Sequence, residues 1–314
     1  MKKLFIKTSF YLLLILLISE IIIRVFHLTK DTPNRFLDEH DVEKWVPNQN
    51  GFEVTGIRRQ NIAEFNINNS GFNSYREFNP TKEKTEIALV GDSFIQGFHQ
   101  DYDDSIGKKI ENSIPNIEVY EYGYAGYDFA DQLHLINAYK NDFDLIDQVI
   151  VYLNFEEDLG RGEYKVIQDR LALQTPLNNT IKKCKLLVYC KSIGFLDPPK
   201  KFVSNLINTI KGNKNSSTTK TKQKDKTDIY IDNFKNLVKL YGFNKSKFFL
   251  LLDSSKTPNK FLTYLSNNNY KIIDYNNSFQ KAQHNTTLIY DQHWNNYGRE
   301  FIASEISNIL FTKN

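Results

Sequence analysis

Three side chains have the types needed for acyl transfer through a serine. They are Ser93 in Gly91-Asp92-Ser93-Phe94, and Asp291 and His293 in Asp291-Gln292-His293-Trp294-Asn295. A serine hydroxyl is a weak nucleophile until a general base takes its proton, and an imidazole base needs a third group to orient it. The Asp-x-His spacing lets a carboxylate and an imidazole leave one loop on the same side. This chemistry requires the fold to bring the motifs together across about two hundred residues. There are plainer readings. Gly-Asp-Ser also suits a strand-to-helix turn in which Asp92 or Ser93 is the N-cap. His293 also suits a buried structural histidine paired with Asp291.

The elements that must position these residues can be read from apolar patterning. Ile87 to Val90 is a short run of Ile, Ala, Leu and Val, suited to a strand covered on both faces. Gly91 permits a sharp turn, and Ser93 falls just beyond the carboxyl end of the strand, where open α/β sheets place ligands. Helix 105–113, strand 117–122, a glycine turn from Gly123 to Gly126, helix 128–139 and strand 148–153 follow. After an interruption the rhythm resumes with helix 231–241, strand 248–253, helix 258–266, strand 270–274 and helix 298–311. This alternation predicts an α/β fold of three layers, α/β/α, around a five-stranded parallel sheet.

The flanking segments divide the chain further. Lys2, Lys3 and Lys7 precede an apolar run that continues through Phe26, broken by Glu20 and Arg24, which are spaced to pair on a helix. No small-x-small cleavage site follows, so residues 1–26 read as an uncleaved membrane anchor rather than a signal peptide. The lysines place the amino terminus in the cytoplasm and the remainder outside it. Residues 27–84 form a turn-rich leader expected to pack on the main domain, with one short strand at Phe65 to Asn68. Residues 85–314 are that domain. An insertion at about 160–228 is helical at first and ends in a basic, low-complexity run at 211–226, read as a solvated loop.

Other signals exclude classes of function. The net charge of +3 does not argue for nucleic acid. No Cys-x-x-Cys, His-Glu-x-x-His, Walker or Gly-x-Gly-x-x-Gly pattern is present, so no metal or cofactor is expected. Cys184 and Cys190 are six apart in a helical stretch and face different sides. Asp101, Asp103 and Asp104 lack the spacing of a Ca²⁺ loop, and Asp104 reads as a helix cap. His99, His134 and His284 read as surface or packing residues.

Taken together, Gly91-Asp92-Ser93-Phe94, the Gly126 turn, the loop from Asn154 to Asp158, and Asp291-x-His-Trp-Asn-x-x-Gly298 resemble the SGNH (GDSL-type) hydrolases. The resemblance is to their membrane-anchored bacterial type, which also carries an Asn-x-x-Gly-aromatic turn, here Asn68 to Phe72. It covers about 66–159 and 229–310 and implies the flavodoxin-like SGNH hydrolase fold. It also implies Ser93 as nucleophile, His293 as general base and acid, and Asp291 as its orienting partner. The oxyanion donors would be the Ser93 and Gly126 N–H groups and an asparagine. The family has Gly-x-Asn-Asp at that last position. Strand register assigns Glu157 to it, with Asn154 three residues earlier. An ionised glutamate cannot donate a hydrogen bond. Either Asn154 reaches in, or a glutamate serves while protonated, or activity is weak.

The expected function is that of a membrane-tethered, extracytoplasmic serine esterase acting on ester-linked acyl groups, O-acetyl groups on cell-surface glycans in particular. The alternatives are an O-acyltransferase module for surface polysaccharide and a catalytically weak hydrolase-fold surface or assembly protein, to which the Glu156-Glu157 departure points.

Overall fold

The four residues Ile87 to Val90 have no solvent exposure, and their side chains alternate between two cores. Ile87 and Leu89 face a layer formed by helices Ile106–Ser113 and Asn296–Phe311. Ala88 and Val90 face a second layer containing helices Phe129–Ala138, Lys226–Tyr241 and Asn259–Asn267. Period-two alternation with both faces apolar is what a central parallel strand requires. Burying Ile87, Leu89 or Val90 is worth about 1.5–3 kcal/mol each.

The computed structural model describes residues 1–56, 59–172, 174–195 and 226–311. Nine strands are described: β1 (Arg35–Leu37), β2 (Glu43–Trp45), β3 (Asn50–Thr55), β4 (Asn61–Asn66), β5 (Thr85–Gly91), β6 (Ile117–Gly123), β7 (Gln148–Tyr152), β8 (Phe248–Leu252) and β9 (Lys271–Asp274). The last five form one parallel sheet in the order β6-β5-β7-β8-β9. The chain winds one way from β5 to β6 and the other way from β5 to β7. The switch therefore lies beside the carboxyl end of β5, at the serine turn.

The leader holds more structure than its sequence suggested. β1 pairs with β2 and β3 with β4, as two antiparallel ribbons. Trp45, Phe65, Phe72 and Phe78 join the same apolar cluster as Ala88 and Val90. The hydroxyls of Tyr124 and Tyr127 donate to the Glu43 carboxylate (2.7 Å) and to the Glu43 carbonyl (2.5 Å). Asn61 Nδ2 donates to the His99 carbonyl (2.7 Å), and Asn73 Nδ2 to the Gln96 carbonyl (2.8 Å). Both carbonyls belong to the loop that follows Ser93.

The helix Lys2–Val25 is long and apolar enough to cross a membrane. Arg24 Nε donates to Glu20 (2.7 Å), as the spacing predicts. Within the insertion, the described part forms helices Gln168–Ala172, Pro176–Lys183 and Lys185–Ser192. The low-complexity run at 211–225 lies outside the described residues. Both cysteines are free. The 106–113 helix is capped by Ser105, whose hydroxyl accepts from the Lys108 N–H, and not by Asp104.

Candidate active site

Ser93 is carried on a single helical turn, Ser93–Gln96, that starts where β5 stops. Asp92 caps this turn, accepting from the Phe94 N–H at 2.8 Å, so the capping reading of Gly-Asp-Ser is also true. The turn sits directly on the strand ends. A Cβ on Gly123 would stand 2.0 Å from the Gln96 nitrogen, and one on Gly91 2.4 Å from Ile95 Cγ1. Gly91 and Gly123 are level neighbours in β5 and β6, and together they leave the floor on which the turn rests.

The terminal motif explains itself residue by residue. Trp294 is buried against Phe94, Tyr152 and Tyr275 and anchors the loop in the core. Asn295 Nδ2 donates to the carbonyls of Asn285 (2.7 Å) and Thr287 (3.1 Å), and its Oδ1 accepts from the Gly298 N–H (2.9 Å). It therefore ties the loop to its approach and caps the final helix. A Cβ on Gly298 would lie 2.1 Å from the Thr286 oxygen, so only glycine fits.

This scaffold places His293 Nε2 at 2.8 Å from Ser93 Oγ. His293 Nδ1 bonds to Asp291 Oδ1. An ionised carboxylate only accepts, so the Nδ1 proton is fixed and Nε2 is left to accept from the serine hydroxyl. The hydrogen bond from His293 holds the Asp291 carboxyl below its usual range. Serine, imidazole and carboxylate thus form a continuous chain.

Register puts the remaining expected residues in the same plane. Val90 is level with Tyr122 and Val151. Counting on, Ser93 is level with Asn154 and is one residue short of Gly126. Asn154 is half-buried at the end of β7, whereas Glu156 and Glu157 are exposed on the helical turn Phe155–Asp158. The assignment of Glu157 to the asparagine position is therefore corrected. The chain turns into a helix immediately after Asn154, which carries the glutamates outward. Gly126 has φ of 88°, in the left-handed region that favours glycine. Its carbonyl accepts from Arg170 of the insertion, which also lies 3.4 Å from Glu43.

Two further groups lie near the site. His99 is 8% exposed, its ring lies 4.0 Å from that of His293, and its Nδ1 is 3.5 Å from Asp291 Oδ2. That approach is too long for a good hydrogen bond. Burial, reinforced by His293, pushes the His99 pKa down to about 3. Ligand atoms of His99, Asp291 and His293 lie within 4.8 Å of one another, close enough to share a transition-metal ion. The second group is Asp158, buried under the site. Its carboxylate accepts from the Asn154 N–H at 2.7 Å. Burial raises Asp92 to about 6, with Glu157 adding to it, and holds Asp158 well above the usual carboxylate range, with Asp92 adding to that shift. Local sequence did not mark His99, whereas Asp158 stands where the resemblance has the Asp of Gly-x-Asn-Asp.

The parallel order with its switch beside β5, the serine turn and the Asp-x-His loop before the last helix decide the architecture. The chain has a three-layer α/β fold around a five-stranded parallel sheet. Solved structures similar to it include a lipolytic G-D-S-L family protein from Veillonella parvula (14% identity, 73% of this chain and 99% of that one, TM-score 0.38). Another is a lipase/acylhydrolase from Enterococcus faecalis (12% identity, 72% and 94% covered, TM-score 0.39). A third is a catalytic mutant of an acetylxylan esterase from Geobacillus stearothermophilus (11% identity, 71% and 93% covered, TM-score 0.33). No family model matches the chain, and no curated protein sequence does. Within this α/β fold His293 contacts both Ser93 and Asp291.

Proposed function

We propose that this chain is a membrane-tethered, extracytoplasmic serine esterase that removes ester-linked acyl groups, O-acetyl groups on surface glycans in particular. The observation that carries the reading is the 2.8 Å approach of His293 Nε2 to Ser93 Oγ with Asp291 on the far side of the ring. As His293 takes its proton, Ser93 Oγ attacks the ester carbonyl. The resulting oxyanion accepts from the Ser93 and Gly126 N–H groups and from the Asn154 side chain. The alcohol leaves with the proton that His293 returns, and the acyl group remains on Ser93. Water attacks next, giving its proton to His293. The acid departs as that proton goes back to Ser93. Each oxyanion donor contributes about 2.7–4 kcal/mol in hydrolases of this logic.

The anchor reading rests on the length of helix Lys2–Val25, with Lys2, Lys3 and Lys7 on its cytoplasmic side. The glycan is inferred from that location. The test is Ser93→Ala and His293→Ala against p-nitrophenyl acetate, with a fluorophosphonate probe mapped by mass spectrometry. Loss of turnover in both variants and labelling at Ser93 are expected. Unchanged turnover in either variant rejects the assignment.

A further inference from the structure

Glu20 is the single acidic residue of the helix Lys2–Val25. Besides Arg24, its carboxylate accepts from the backbone N–H groups of Lys185 (3.0 Å) and Leu186 (2.6 Å), in the first turn of helix Lys185–Ser192. Arg24 Nη2 donates to the Lys183 carbonyl. The insertion therefore docks on the apolar helix about 7.5 Å before its end, at about 1.5 Å per residue. Spanning the hydrocarbon takes about 20 residues, which Leu4 to Ile23 supply. Glu20 to Arg24 then mark the depth where hydrocarbon gives way to headgroups, and residues 183–186 lie at the same depth.

The composition of this part of the insertion suits such a position. Ile181, Leu187, Ile193 and Phe195 are 40–70% exposed, which would be costly on a water-facing helical hairpin. Lysines alternate with them. A groove of about 1460 Å³ runs between these helices, the end of the anchor and the leader. Seven basic side chains line it, and one acidic one, Asp31. Four of the seven have carboxylate partners: Arg24 with Glu20, Lys30 with Glu53, Arg35 with Glu43 and Lys185 with Asp31. Among the described residues Lys182, Lys183 and Lys191 have none. Lys182 also feels the Arg35 guanidinium, which lowers its pKa along with burial.

We propose that helices Pro176–Lys183 and Lys185–Ser192 lie on the membrane surface beside the anchor, and that the groove takes the phosphate headgroup of an anionic lipid. Apolar side chains enter the interface while Lys182, Lys183 and Lys191 meet phosphate, the pattern of an interfacial helix pair. The proposal rests on the membrane-anchor reading. Its consequence is orientation: the insertion holds the proposed catalytic domain at a fixed tilt, because Arg170, six residues before the start of helix Pro176–Lys183, also reaches the Gly126 carbonyl at the serine site.

The experiment uses the full chain in vesicles of phosphatidylcholine with and without phosphatidylglycerol. One sample carries a bimane on Cys190 in a Cys184→Ser background. A second carries it on Ile15→Cys with both native cysteines replaced. Nitroxide lipids report depth, and lipid retained through detergent purification is counted by mass spectrometry. Quenching of the Ile15→Cys label by tail nitroxides and of the Cys190 label by headgroup nitroxides is expected. So is at least tenfold less retained phosphatidylglycerol for Lys182→Glu/Lys183→Glu/Lys191→Glu. Quenching of the Ile15→Cys label alone overturns the proposal and leaves the anchor standing. Quenching of neither removes the anchor and the proposal with it. Equal retention by wild type and the triple variant overturns the phosphate groove, as does tighter binding of soluble polyphosphate than of the lipid.

Discussion

The imidazoles of His99 and His293 stack at 4.0 Å with a tilt of 32°, and both face the carboxylate of Asp291. Burial keeps His99 neutral, so it adds no charge beside the proposed base. Packed there, its ring backs that of His293. His99→Gln is expected to lower kcat about tenfold, about 1.4 kcal/mol, with KM unchanged. Steady-state kinetics on p-nitrophenyl acetate decide it. A loss as large as that of Ser93→Ala would mean that His99 takes part in the chemistry itself.

The three-residue cluster also makes a metal prediction. A Zn²⁺ ion shared by His99, Asp291 and His293 must displace the Nδ1 proton on which the serine–histidine contact depends. Zn²⁺ on the order of micromolar should inhibit, and a chelator should restore activity. Full activity in excess zinc sinks the idea.

The strand-end register separates two side chains that the sequence left in competition. Asn154→Ala should reduce kcat by about two to three powers of ten, the cost of one lost oxyanion donor. Glu157→Ala should stay within a few-fold of wild type, because that side chain points to solvent. The reverse ranking would return the glutamate to the site.

Gly123→Ala probes the floor beneath the serine turn. The new methyl would overlap the Gln96 backbone at 2.0 Å, and backbone cannot swing aside as a side chain can. Fluorophosphonate labelling of Ser93 should fall at least a hundredfold even where circular dichroism shows the fold retained. Normal labelling would show that the turn tolerates displacement.

Asp92 and Asp158 make a prediction about pH. Their carboxyls are raised in the folded state, to about 6 for Asp92. The folded protein therefore holds protons that the unfolded chain releases near pH 4, so stability falls as pH rises from about 4 through 6. Asp158→Asn keeps an acceptor for the Asn154 N–H and removes the charge. It should raise the melting temperature at pH 8, by about 2–4 °C per kcal/mol. The gain should vanish near pH 4. An equal gain at both pH values would show that charge is not its cause.

The five sheet strands were legible from their short β-rich runs, of which β5, β7 and β8 are apolar on both faces, and the serine and histidine motifs because each carries its own turn chemistry. Of β1 to β4 only the end of β4, at Phe65 and Asn66, was. They are three to six residues long, mix polar and apolar side chains, and gain their order from Trp45 and Phe65 packing on a sheet that follows them in sequence. His99 was read as a packing or surface residue for a related reason. It comes six residues after Ser93 with no pattern of its own, and only the arrival of the 291–293 loop makes it part of the site. Glu157 was set at the asparagine position because register was counted past the strand end, whereas a helical turn begins at Phe155.

The hydrogen bonds from Tyr124 and Tyr127 to Glu43 set where the proposed anchor can be separated from the domain. On that reading, cleavage between Phe26 and Lys30 would remove the apolar helix and leave β2 and the leader aromatics in place. Removal of everything up to residue 84 would instead strip Trp45, Phe65, Phe72 and Phe78 from the sheet's apolar cluster and leave a sticky remnant. Release of a folded domain from the proposed anchor therefore depends on a window of only a few residues.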